Sequence, residues 1–164
     1  MGEIRIRAAN LEDIATLREF EQGVILAERP FDPSLKPDPI TYYDIEQLVT
    51  SPEVRFSIAE VHGSLVACGY AKIIEAKPYV KHDREAYLGL MYVLPEFRRR
   101  GINNLILEDL YRWALSRGVT ELTLEVYPEN IGAIRAYEKV GFKPYILQMN
   151  ASLEGRSSDE NKLG

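Results

Sequence analysis

The stretch that most constrains this chain is Ala86 to Gly118, "AYLGLMYVLPEFRRRGINNLILEDLYRWALSRG". It opens as an apolar run of strand character and is stopped by Pro95, which biases Leu94 away from helix. Ile106, Leu110, Trp113 and Ala114 then recur at helical spacing, with Glu108, Arg112 and Ser116 on the opposite side. Gly118 is suited to end that helix in a left-handed conformation. A strand feeding a one-sided helix needs a sheet on which to lay the helix, so this segment implies a layered fold of helices on a sheet.

The remaining segments fill that plan. "EIRIRAA" alternates apolar and charged residues as a half-buried strand does. Asn10, followed by Glu12 and Asp13, reads as the N-cap of a helix carrying Leu11, Ile14, Leu17 and Val24 on one side. The proline-rich "ERPFDPSLKPDP" reads as an ordered loop, and Asp38-Pro39 as the opening of a second helix running to about Val49. "VRFSIAEVHGSLVACGYAKII" reads as a hairpin turning at His62-Gly63. "TELTLEVY" gives a further strand, "NIGAIRAYEKVGF" a short helix closed by Gly141, and "KPYILQMNA" a last strand. The expected order is β α α β β β α β α β. Consecutive middle strands pair antiparallel and the later crossovers demand a mixed sheet, so the fold class is α/β (α+β), mostly antiparallel, with helices on both faces.

The 164 residues suit a single domain over residues 1–151, followed by a mobile polar tail at 152–164. No apolar run reaches membrane-spanning length and the N-terminus lacks a secretory core, so the expectation is a cytoplasmic protein with no membrane partner. The single cysteine, Cys68, excludes an internal disulfide, and it reads as apolar strand filler. His62 lies in a turn and His82 in a charged loop; no metal site is expected. Exposed edge strands leave a homodimer open.

Arg98, Arg99 and Arg100 meet Gly101 at a helix mouth in a chain of formal net charge -5. A strand, a glycine turn and a helix N-terminus present unpaired N–H groups and positive dipole potential to an anion. The arginines add bidentate phosphate contacts. The bland reading is a solvated basic run. The acidic balance argues against nucleic acid as partner, and "RRRGIN" lacks the Gly-Lys-Ser/Thr of a nucleoside-triphosphate loop.

The stretch "LMYVLPEFRRRGINNLILEDL" resembles the acetyl-CoA-binding segment of the GNAT superfamily of N-acetyltransferases. The family's strand ends in a valine, then a proline, then Gln/Arg-x-x-Gly-x-Gly/Ala opening a helix. Val93, Pro95, Arg98 and Gly101 meet this pattern, and Asn103 departs from it. "LEVYPENIGAIRAYEKVGF" resembles the family's later strand–helix unit through Asn130, Ala133, Tyr137 and Gly141-Phe142. The resemblance runs from Ile4 to about Ala151.

This resemblance implies a GNAT-like fold and acetyl transfer from acetyl-CoA, as cosubstrate, to a primary amine on a peptide N-terminus, lysine or small molecule. Transfer would be direct, within a ternary complex. Main chain of Met91, Tyr92 and Val93 would pair with the pantetheine arm, although all three also read as buried strand. The pyrophosphate would lie on the segment Arg98, Arg99, Arg100, Gly101, Ile102, Asn103 and Asn104, with Asn103 weakening or shifting the cofactor. Asn130 would cap its helix and touch the cofactor. Tyr137 would be the general acid for the leaving thiolate, against a plain core aromatic as the alternative. Glu125 is the first candidate base and Glu85 the second, each also readable as an exposed strand carboxylate. A non-catalytic acyl-CoA-binding or sensing domain is the competing reading.

Overall fold

The computed structural model describes residues 2–155. Strand β1 (Ile4–Ala8) leads into helix α1 (Ile14–Glu28), and α2 (Ile45–Thr50) precedes strands β2 (Val54–Val61), β3 (Ser64–Glu75) and β4 (Arg84–Val93). Helix α3 (Ile102–Ser116), the short strand β5 (Leu122–Thr123) and helix α4 (Ile131–Lys139) complete the order. The sheet order is β1-β2-β3-β4-β5, antiparallel except for the parallel β4–β5 pair. This is the mixed, mostly antiparallel sheet expected. No helix among the described residues is long and apolar enough to cross a membrane.

The helices cover both faces. Helix α3 packs Ile102, Ile106, Leu107 and Leu110 against Ala71, Ile73, Ala86 and Leu88. On the other face Leu17 and Phe20 of α1, with Ile45 and Leu48 of α2, meet Phe56, Ile58, Cys68, Tyr70 and Leu90. Leu88 and Leu90 are two residues apart, yet they belong to opposite faces. A β-bulge explains this. Tyr70 pairs with Gly89 and Cys68 with Tyr92, so Leu90 and Met91 together oppose Gly69 alone. One extra residue exchanges the faces of everything beyond it. Leu90 adopts φ 45°, a left-handed conformation unusual for a leucine, and its carbonyl accepts from the Cys68 thiol at 3.4 Å. Cys68 is fully buried, and burial pushes its thiol well above the usual range, as befits inert filler.

Local signals explain the element ends. Asn10 caps α1's leading turn by accepting from Glu12 N at 2.8 Å, while its own N–H donates to Asp13 Oδ2 at 2.8 Å. His62 and Gly63 turn the β2–β3 hairpin with φ 51° and 78°. Gly118 closes α3 with φ 72°, its N–H donating to Leu115 O and that of Val119 to Ala114 O, both at 3.0 Å.

Three sequence expectations are corrected. Asp38-Pro39 does not open the second helix: Asp44 does, accepting from Gln47 N at 3.0 Å. The preceding residues are held open because buried Glu21 accepts from Tyr42 N at 2.6 Å and Tyr43 N at 2.8 Å, removing those amides from any helix. "TELTLEVY" pairs only at Leu122 and Thr123, because β5 then splays from β4. "KPYILQMNA" forms no strand; it runs as exposed coil paired with no strand of the sheet. Of the expected tail, residues 152–155 are exposed, and 156–164 lie outside the described residues.

Candidate active site

The bulge and the splayed strands together build a notch. β4 stays paired to β3 as far as Val93, but its other edge is paired to β5 only at Ala86 and Tyr87. From Leu88 onward that edge of β4 is open. A cavity of about 80 Å³ lies in the opening, lined on the β4 side by Leu88, Gly89, Leu90 and Met91 and on the β5 side by Leu124 and Glu125. Tyr137 of α4, Val24 and Glu28 of α1, Tyr43 and Tyr87 close it. Tyr137, Glu125 and Met91, singled out in the sequence, therefore meet in one place.

Tyr137 is held by the way α4 ends. Gly141 (φ 101°) lets Phe142 N donate to Tyr137 O at 3.1 Å, and the Phe142 ring meets the Tyr137 ring edge-on at 5.7 Å between centroids. The same glycine-closed turn that stops the helix thus fixes the phenol's side chain. Asn130 caps the other end, accepting from Ala133 N at 3.3 Å; it does not line the cavity. Burial first, then the nearby Glu28 carboxylate, pushes the Tyr137 phenol up to about 12. At neutral pH it keeps its proton and can donate a hydrogen bond.

Glu28, Tyr43 and Tyr87 are members of this site that the sequence did not single out as catalytic. Burial raises the Glu28 carboxyl above the usual carboxylate range, opposed by the neighbouring Tyr42 hydroxyl. Tyr42 Oη is itself buried and makes no hydrogen bond of normal geometry among the described residues. Asp32, next to this pair, accepts from Tyr127 Oη at 2.8 Å, and Phe31 stacks on the Tyr127 ring. The proline-rich loop is thereby tied to the chain just beyond Glu125. Two carboxylates within a ring of phenols give the cavity an acidic, hydrogen-bonding wall suited to an ammonium group. Glu85 lies elsewhere: it faces His82 Nε2 at 3.2 Å and accepts from Thr123 Oγ1 at 3.4 Å, and it does not line the cavity.

At the end of the open β4 edge sits the helix mouth. Gly101 is the N-cap of α3 with φ 77°, and Arg99 before it has φ 60°. A Cβ at Gly101 would meet nothing within 4 Å, so the backbone angle, not space, calls for glycine. The first bonds into the helix are donated by Asn104 N (3.1 Å) and Leu105 N (3.3 Å) to Gly101 O. The amides of Ile102 and Asn103 precede any carbonyl that could take them and point out of the helix mouth. Ile102's side chain is core, so only its main chain is available at the helix mouth. Arg98 Nε donates to Val93 O at 3.0 Å and its guanidinium lies 5.9 Å from the Tyr92 ring centre; Arg100 lies 5.3 Å from that of Phe97. Aromatic faces hold these two guanidinium groups beside the turn.

The profile of the Acetyltransferase (GNAT) family matches residues 16–142, most of the chain. The chain belongs to the GNAT acetyltransferase family. Among curated relatives, the aminoglycoside N(6')-acetyltransferase type 1 of Salmonella typhimurium is 27% identical over 110 residues, 65% of this chain and 74% of that enzyme. The ribosomal protein bS18 alanine N-acetyltransferase of the same organism is 41% identical over 66 residues, 40% of this chain and 45% of that enzyme. A solved predicted acetyltransferase from Clostridium acetobutylicum, with acetyl-CoA, superposes with TM-score 0.69 at 22% identity, covering 92% of this chain and 97% of that one.

A hollow of about 420 Å³ at the far edge of the sheet, by Glu3, Arg5, Glu60 and His62, is remote from all of this. Among the described residues, no group of three or more His, Cys, Asp or Glu side chains is placed to hold a metal ion.

Proposed function

We propose that the protein transfers an acetyl group from acetyl-CoA directly to a primary amine, and that cationic amines are its preferred acceptors. The observation that carries this reading is the juxtaposition of an open β4 edge, an electropositive helix mouth at one end of it and an acidic, phenol-lined cavity within it. A diphosphate and an amine ask for opposite environments, and the helix mouth and the cavity, both reached from the open side of β4, supply one each.

The chain's own groups divide the work. The amides from Arg99 to Asn104 and the charge of Arg98 to Arg100 receive the diphosphate. The side chain of Asn103 stands where the family has glycine or alanine, so its amide group borders the bound phosphates. Main chain of Met91, Tyr92 and Val93 pairs with the pantetheine arm along the open edge, and an N–H there polarises the thioester carbonyl. Glu28 and Glu125 draw the ammonium into the cavity and take its proton, directly or through water. A lysine-type amine has a pKa of about 10.4, so this deprotonation is an uphill step. Burial of Glu28 narrows the gap by raising its proton affinity.

Tyr137 faces the leaving sulfur. A thiol has a pKa of about 8.5. The Tyr137 phenol, pushed up to about 12, holds its proton more tightly than that. Its service is therefore a hydrogen bond to the departing thiolate, and the amine's own proton completes the balance. Positioning of two bound reactants supplies the larger part of the acceleration.

The acceptor class follows from similarity as well as from charge. One curated relative is named for an aminoglycoside, a polycationic small amine, and another for the alanine of a ribosomal protein. The test is thiol release from acetyl-CoA against polyamines, aminoglycosides, lysine peptides and peptides with free N-termini. Saturable release with at least one cationic amine is expected. Acetyl-CoA binding with no release across the panel would overturn the enzymatic reading in favour of a binding module.

A further inference from the structure

The β4 bulge sets a problem that the sheet alone does not solve. Leu90 and Met91 share one opposite residue, Gly69, so the ladder with β3 is interrupted there. Leu90 also holds φ 45° without glycine's freedom. Such a backbone persists only where its surroundings over-determine it. Here the surroundings are side chains. The Cys68 thiol donates to Leu90 O at 3.4 Å. Burial pushes the Tyr43 phenol up, and the Leu90 N–H that faces its oxygen partly offsets that push. Leu90 O belongs to the peptide plane shared with Met91 N, and Leu90 N to the plane shared with Gly89. The two planes that meet at the Leu90 Cα are thus each held by one side chain. Tyr70 adds a third brace, its hydroxyl filling the space that a Cβ at Gly89 would take.

Tyr43 is itself firmly placed, although it lies in irregular chain before α2. Glu21 of α1, only 1% exposed, accepts its N–H at 2.8 Å and that of Tyr42 at 2.6 Å. Gln22 Nε2 donates to Ile40 O at 3.0 Å, and the Tyr43 ring meets that of Tyr70 edge-on at 5.6 Å between centroids. Burying a carboxylate is costly, and here the two hydrogen bonds it accepts go to main chain that carries a phenol into the cavity. Tyr43, Leu90 and Met91 all line that cavity, whereas Glu21 does not.

We propose that Tyr43, anchored by Glu21, is a positioning residue for acetyl transfer. By engaging the Leu90 N–H, opposite the Cys68 thiol on Leu90 O, it fixes the bulge so that the Met91 N–H points at the thioester carbonyl. The proposal rests on the reading above, in which main chain of residues 91–93 receives the cofactor and polarises that carbonyl. An N–H stabilises a developing oxyanion best when it is in place before the charge appears. A bulge free to relax would rotate the 90–91 peptide and carry the Met91 N–H away with it.

The test observes the carbonyl itself. Infrared difference spectra of acetyl-CoA labelled with carbon-13 at the acetyl carbonyl should show, on the wild-type protein, a thioester band at lower frequency than in water. Tyr43→Phe keeps the ring against Tyr70 and removes only the hydroxyl. It should lose most of that displacement and about ten-fold in kcat, while the affinity for CoA, which has no thioester carbonyl, stays unchanged. Glu21→Ala frees the amides of residues 42 and 43 and should reproduce the loss. Glu21→Gln, whose amide oxygen can accept the same two bonds, should restore both band and turnover. A wild-type displacement that Tyr43→Phe leaves intact would overturn the proposal alone. So would a Tyr43→Phe defect confined to CoA affinity, or a Glu21→Gln variant as impaired as Glu21→Ala. A wild-type protein that binds acetyl-CoA without displacing the band would instead overturn the underlying reading of the β4 edge, and the proposal with it.

Discussion

The two parts of this molecule on either side of Val119 are held by different means. Before it, α3 buries Ile102, Ile106, Leu107, Leu110 and Ala114, and α1 buries Leu17, Phe20, Glu21 and Ile25. After it, α4 buries no residue and β5 is two residues long. Yet it is the second part that delivers Glu125 and Tyr137 to the cavity, whereas the first contributes the open edge, the helix mouth and Glu28. On the proposed reading, a well-buried half offers the edge for the cofactor, and a lightly held half brings Glu125 and Tyr137 to it. Regions with few buried apolar contacts open most readily, which suits elements that must admit two substrates.

That contrast predicts a separation of effects. The largest belongs to Tyr137→Phe, which keeps the ring against Phe142 and removes only the hydroxyl. Turnover should fall about 10²–10³-fold, equivalent to about 3–4 kcal/mol, with melting temperature and acetyl-CoA affinity unchanged. A loss of stability on the same scale would mean that α4 is structural after all.

Next comes Arg7→Leu in the scaffold. Asp13 is 5% exposed, and its hydrogen bonds from Arg7 hold its carboxyl below the usual range against the cost of burial. Leaving that carboxylate with only the Asn10 N–H and no cation should cost about 2–3 kcal/mol of stability with kcat unchanged at low temperature. The sign with pH is fixed by the lowered pKa. The stabilisation is fully present above the unfolded value of about 3.9 and is lost as pH falls through the folded one, so the variant should unfold at a higher pH than the wild type in an acid titration.

Gly101→Ala should act within the first part, at the helix mouth. The added Cβ has room, but φ 77° disfavours it by about 1–2 kcal/mol. Acetyl-CoA affinity by calorimetry should drop about ten-fold, with α3 otherwise intact. The smallest effect expected is that of Glu28→Gln, a reduction in kcat of about five-fold, less than the full value of a general base because Glu125 remains. Since burial raises the Glu28 carboxyl, wild-type activity should rise with pH through that raised value, and the variant should lose this part of the profile.

The same division runs through what the sequence made legible. Pro95 stops the strand, and Gly101 and Gly118 mark left-handed positions that few residues tolerate, so the ends of the β4–α3 unit could be read. Alternation in "TELTLEVY" and "KPYILQMNA" was equally plain but states only that a segment suits a strand. Whether a neighbour is there to pair with it is a property of the whole fold, and here β5 parts from β4 and residues 143–151 find no partner in their own sheet. That Tyr137 and Glu125 lie near each other was legible because they share a local motif, and both line the cavity. Glu28, Tyr43 and Tyr87 come from three distant segments, and the Tyr127–Asp32 bond that ties loop to strand spans 95 residues. No local pattern announces such a meeting. The bulge is similar: nothing around Leu90 marks it until the Gly69 pairing is seen.

The most direct measurement is amide hydrogen exchange, residue by residue, with and without acetyl-CoA. The account predicts new protection concentrated at Met91 to Val93 and at Arg99 to Asn104, with the amides of β1 and β2 unaffected. Protection that leaves both of those segments unchanged while acetyl-CoA binds elsewhere would contradict it.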